Sequence, residues 1–216
     1  MSPVALVRRT DESERLREIR DNAGVDLPRI ECAVREILFA LGEDADRDGL
    51  LDTPRRVARA YAELLGGLRE DPAQHLGRVF EHSTESDDMV LVRDIEFSSL
   101  CEHHLLPFTG TAQVAYLPAK GRVVGLSKIA RTVDVFARRP QLQERLTADI
   151  ADAISLHLQA RAVAVIVRAE HLCLRMRGAA KRGADMVTSA FRGEFERNRA
   201  LRAEAFALLQ QQRGSC

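Results

Sequence analysis

Residues 89–117 read MVLVRDIEFSSLCEHHLLPFTGTAQVAYL, and the fold turns on this stretch. From Met89 the apolar period becomes that of strands, one over 89–97 and a second over 111–117. Cys101-Glu102-His103-His104 and Pro107 separate them. Upstream the period is helical. Ile30, Ala33, Val34, Ile37, Leu38 and Leu41 recur at helix spacing and stop at Gly42. Thr53 and Pro54 then supply an N-cap and a first-turn proline. They open a second helix, with a stripe of Val57, Ala60, Tyr61, Leu64, Leu65 and Leu68 that Gly66-Gly67 weaken at its end.

Downstream, Val123 to Leu126 read as a short strand leading into a helix from Ser127 to Arg138. Pro140 interrupts, and a longer helix follows from about Leu142 to Leu158. Strands are expected at 162–168, 171–177 and 186–191, and a terminal helix at about 198–211. The order gives an α+β chain, an antiparallel sheet backed by helices. The charged residues 1–25 read as a mobile arm or frayed helix. Residues 26–85 form a helical region and 86–212 the main domain.

The composition excludes several classes. Lys plus Arg and Asp plus Glu are both 32, so no bulk charge holds the chain to nucleic acid or membrane. A local basic pocket for a small anion stays open. Val4 to Val7 is too short an apolar run for a signal peptide, and no stretch reaches the ~20 apolar residues of a membrane span. Four scattered cysteines do not make a disulfide scaffold, which points to a reducing cytoplasm.

In the Cys101-Glu102-His103-His104 segment, Cys101 and His104 are spaced to reach one metal from a single turn. Alone, the segment equally fits a buried cysteine beside exposed histidines. In the strand read over 171–177, alternation puts Leu172, Leu174 and Met176 on a core face, and His171, Cys173, Arg175 and Arg177 on the other. Cys101, His104 and Cys173 together make a Cys₂His zinc site with one position open, a catalytic arrangement. His103 and His171 are left as acid/base groups. Two thiolates cancel the charge of Zn²⁺, so the metal acidifies its water less than a three-histidine site would, and an imidazole must help.

Leu126, Ile129, Ala130, Val133 and Phe136 mark the buried face of the next helix. Lys128 and Arg131 lie on its other face near the N-terminus, where N–H groups favour phosphate. Ser127 fits an N-cap, and Lys128 and Arg131 fit ordinary surface charges as well. By pattern alone Glu144 is a first-turn carboxylate complementing the helix dipole.

The blocks CEHHLLPF, GLSKIAR, RPQLQERLT, EHLCLRMRG and VTSAFRGEF, with upstream DTPRRVA and DDMVLVRDI, resemble the GTP cyclohydrolase I family over roughly residues 30–210. The resemblance implies the T-fold: paired β-hairpins with two intervening helices, a barrel closed between subunits, a homo-oligomer that is usually a decamer, and active sites where subunits meet. It implies zinc on Cys101, His104 and Cys173. The implied reaction is hydrolytic opening of the imidazole ring of GTP, loss of formate and rearrangement to 7,8-dihydroneopterin triphosphate. His103 and His171 would handle protons, and Ser127 would assist the ribose rearrangement. Glu144 would accept from guanine N1–H and the 2-amino group, with Gln143 beside it on the base. Lys128, Arg131 and Arg177 would hold the triphosphate. The pattern specifies no role for Arg175. A non-catalytic homologue that binds GTP or a pterin, and a T-fold enzyme for another purine, are the alternatives. The full metal and acid/base set argues against the first, and Glu144 with the triphosphate residues against the second.

Overall fold

The computed structural model describes residues 24–77, 79–81, 88–119 and 122–210. The arm read over 1–25 lies outside these residues but for its last two, as does Gln211. Contacts divide the chain into two compact units at Glu63–Leu64. In the first, α1 (Leu27–Ala40) is capped by Asp26, whose carboxylate accepts from Arg29 N at 3.0 Å. It stops at Gly42, which takes the left-handed φ of 82°. Helix α2 (Thr53–Leu64) follows, with Pro54 in its first turn.

In the second unit the Gly66-Gly67 pair makes a 3₁₀ turn, Gly66–Arg69. A short helix α3 (Ala73–Leu76) and strand β1 (Val79–Glu81) lead to β2 (Val90–Cys101) and β3 (Pro107–Leu117). Strand β4 (Arg122–Val124), α4 (Leu126–Ala137), β5 (Pro140–Gln141) and α5 (Gln143–Leu158) come next. Then follow β6 (Ala162–His171), a helical turn α6 (Leu172–Arg175), β7 (Met186–Gly193), α7 (Glu194–Arg197) and α8 (Arg199–Gln210). The main sheet runs β5-β2-β3-β6-β7, and β1 pairs with β4 separately. Every neighbouring pair in the main sheet is antiparallel except the two-residue β2–β5 contact.

The first hairpin is longer than the apolar period indicates, because Ser98 pairs with Thr109 and Ser99 with Phe108. Short polar residues extend a ladder that is carried by backbone hydrogen bonds. Strand β6 is buried on both faces, which is why 162–167 is continuously apolar. Val163, Val165 and Val167 meet Ile129, Leu146 and Ile150 under the helices. Ala162, Ala164 and Ile166 meet Phe195 and Leu209 on the opposite face. Helix α4 begins one residue earlier than expected, with Gly125 at its N-cap, so Ser127 is not the cap. Leu126, expected in the buried stripe, is 62% exposed because it stands in the first turn, ahead of the packed face. No helix among the described residues is long and apolar enough to cross a membrane.

Gly110 in β3 lies opposite Ala169, and a Cβ there would run into the Arg168 carbonyl oxygen and the Ala169 Cα of β6. Backbone cannot yield as a flexible side chain does. Gly110→Ala should therefore destabilise the chain by about 1–3 kcal/mol. An unchanged midpoint in urea unfolding would contradict this close approach.

Candidate functional site

Strand β2 delivers Cys101 at its last residue, buried, and the chain then turns through 102–106 into β3. The turn is tied by Leu105 N to Cys101 O at 2.8 Å and Cys101 N to Leu106 O at 2.9 Å, with Leu105 at φ 53°. Glu102 is gripped by Arg145 of α5 through two bonds of 2.6 and 3.1 Å, and this guanidinium holds its carboxyl below the usual range.

The stretch read as a strand over 171–177 is not one. Pairing of β6 stops at Phe108↔His171, one residue from Pro107, the start of β3. Beyond His171 the backbone pairs with no strand among the described residues and closes on itself, with Met176 N bonded to Leu172 O at 2.9 Å. Leu174 and Met176, expected in the core, are 37% and 68% exposed. The same turn carries Cys173 back towards Cys101. The ligand atoms of Cys101, His104 and Cys173 all lie within 4.8 Å of one another, a group that could hold a metal ion. Cys101 Sγ is 3.9 Å from His104 Nδ1. Burial, and then the neighbouring Cys101, push the Cys173 thiol up, so a metal must displace its proton on binding.

Arg177 Nη1 donates to His104 Nε2 at 3.0 Å. His103 is exposed beside His104. His171 stacks on Phe108 with ring centroids 4.6 Å apart and planes 4° from parallel. Burial lowers its pKa, against a raising influence from the Glu144 charge, so the neutral ring is favoured.

The resemblance put Gln143 beside the base. The structure turns its amide inward onto His171, 2.8 Å away, while Glu144 stands exposed on the next residue. Arg175 pairs with Glu170 at 2.7 Å. The structure does not bring Ser127, Lys128 and Arg131 to this group within one chain. They occupy the start of α4, whereas the end of α4 leads through Arg139 and β5 to Cys101. At 1.5 Å per residue, Lys128 is about 14 Å along the helix axis from that end. Sequence reasoning from pattern alone missed Gln143 and Arg145, since nothing in periodicity distinguishes them from ordinary first-turn residues.

One end of a helix-backed antiparallel sheet thus gathers two thiols and several imidazoles, which defines an α+β protein with a metal-capable group of side chains. Residues 30–210 match the family described as GTP cyclohydrolase I. GTP cyclohydrolase 1 of Carboxydothermus hydrogenoformans is 58% identical over 185 residues, 86% of this chain and 95% of that protein. The Thermobifida fusca protein of the same name is 58% identical over 87% of this chain and 90% of its own. Among solved structures, an archaeosine synthase QueF-Like in the apo form is similar at TM-score 0.42 and 20% identity, over 50% of this chain and 97% of that one. The chain belongs to the GTP cyclohydrolase I family. Its two hairpins with α4 and α5 between them form the T-fold.

Cys173→Ser replaces a soft thiolate with a poorer donor. Metal content should fall from about one per chain, the stoichiometry of a single ligand set, to a small fraction of that. Elemental analysis of both proteins checks this, and equal metal content would contradict the ligand group.

Proposed function

We propose that this chain opens the guanine imidazole ring of GTP by zinc-dependent hydrolysis. It releases formate and rearranges the remainder to 7,8-dihydroneopterin triphosphate, the first step of pterin and folate-type synthesis. The observation that carries the reading is the Cys101–His104–Cys173 group set two residues from His171, in a chain of this family. Tetrahedral zinc with its usual bond lengths holds sulfur and nitrogen donors roughly 3.5 Å apart, close to the 3.9 Å between Cys101 Sγ and His104 Nδ1. Zinc bound there supplies Lewis acidity towards water.

The remaining work falls to the chain's own groups. His171, neutral near pH 7, takes a proton as each of two waters adds to the purine carbon and returns it as each of that carbon's two C–N bonds opens, which frees formate. His103 serves the leaving ring nitrogen. Glu144 accepts from N1–H and the 2-amino group of guanine, two adjacent donors that match two carboxylate oxygens. Lys128, Arg131 and Arg177 hold the triphosphate, with Lys128 and Arg131 near a helix N-terminus that favours anions. Ser127 assists the later ribose rearrangement.

Lys128 and Arg131 lie towards the far end of α4 from Cys101, so neighbouring chains must complete each site. We infer a homo-oligomer, a decamer, whose barrel closes through the sheet edges at β5 and β7. The free thiols Cys32, Cys101 and Cys173 suit a reducing cytoplasm, where we place the enzyme.

Formate release from GTP, ITP and ATP tests substrate identity. Adenine offers an acceptor at N1 and no 2-amino group, leaving Glu144 unpaired, a mismatch worth roughly 10⁴ or more in discrimination. ITP should fall between GTP and ATP. Glu144→Gln should lose most turnover of GTP with normal metal content. Normal GTP turnover by that variant, or ATP rivalling GTP, would overturn the guanine reading.

A further inference from the structure

Gln143 is 1% exposed, and its surroundings fix which way its amide points. Nε2 lies 2.9 Å from Met186 O, 3.1 Å from Val167 O and 3.2 Å from Thr188 Oγ1. Two of these are backbone carbonyls, which only accept, so the group facing them must be the NH₂. Oε1 then faces His171 Nε2 at 2.8 Å. An amide oxygen cannot donate. His171 Nε2 therefore carries the ring proton, and Nδ1 of the neutral ring keeps its lone pair.

The arrangement is held on every side. Thr147 Oγ1 donates to Gln143 O at 2.7 Å, which uses its only proton. Thr188, 2.6 Å from Thr147 Oγ1, must then be the donor in that contact, which leaves Thr188 Oγ1 free to accept from Gln143. The two N–H groups of Gln143 are shared among three acceptors, and all of these bonds run in one direction. Phe108, stacked on His171, opposes rotation of the ring.

We infer that Gln143 is a positioning residue for His171 and makes no contact with the purine. It locks the imidazole as the Nε2–H tautomer and leaves Nδ1 as the nitrogen able to take a proton. This rests on the reading above that His171 moves protons during hydrolysis. A buried amide with both N–H groups and its oxygen engaged offers the nucleotide nothing, whereas a ring of fixed tautomer has one defined basic atom.

Two measurements decide it. Magic-angle spinning NMR of the unmodified, zinc-loaded protein with ¹⁵N-labelled histidine reads the tautomer, the His171 signals being assigned by their loss in His171→Ala. Nε2–H with bare Nδ1 is expected, and Nδ1–H would overturn the proposal whether or not any Gln143 variant folds. Gln143→Met, of similar length without the amide, should lower kcat for GTP on the order of 10²-fold with KM little changed. Combined with His171→Ala it should add little further loss, since both act through one ring. Losses that multiply would overturn the proposal. So would GTP affinity at least tenfold weaker in the double variant than in His171→Ala, which would mean that the amide touches the nucleotide. Full activity in His171→Ala alone would instead remove the role of His171 itself, a failure visible before Gln143 is changed.

Discussion

The register of β3 is the constraint on which the site depends. Phe108 is paired with Ser99 of β2 on one side and with His171 of β6 on the other. That alignment brings the end of β2, with Cys101, and the end of β6, leading to Cys173, to the same end of the sheet. Side chains alternate with period two, so a slip of one residue would turn Phe108 out of the core and remove the surface on which His171 stacks. Gly110, two residues further along β3, allows the two backbones to approach closely enough for the register to hold.

A second constraint is the first turn of α5. Successive residues on a helix point about 100° apart, so Gln143, Glu144 and Arg145 face three directions. The first is buried against His171, the second is exposed with its charge acting on that ring, and the third grips Glu102 in the loop after β2. The Arg145–Glu102 pair is exposed, and pairs of that kind contribute little to stability. Its two-point geometry nonetheless ties the loop that carries Cys101 and His104 to the helix that carries Glu144.

Much of this was legible in the sequence, and the failures have physical causes. The Cys101/His104 spacing and the strand-helix-helix-strand order follow from local chemistry and period, and both survive in the structure. The alternation over 171–177 fits a strand but also suits a tight helical turn, which is what the structure forms. What ends the strand is where its partner β3 begins, at Pro107, a fact about a different part of the chain. Alternation sets His171 and Cys173 on one strand face, whereas in the structure a helical turn carries Cys173 to Cys101. Family likeness places Gln143 on the base, and by its pattern a first-turn glutamine carries no sign of facing inward. Its burial is set by Val167, Met186 and Thr188, which come together only in the folded sheet.

In the proposed reaction, ring opening depends on a metal held by the Cys101–His104–Cys173 group. The direct measurement is formate release from GTP by protein stripped of metal with a chelator and then reloaded with zinc. Activity should fall with bound metal and return as zinc approaches one per chain, the stoichiometry of a single ligand set. Full turnover in a rigorously metal-free preparation would contradict it.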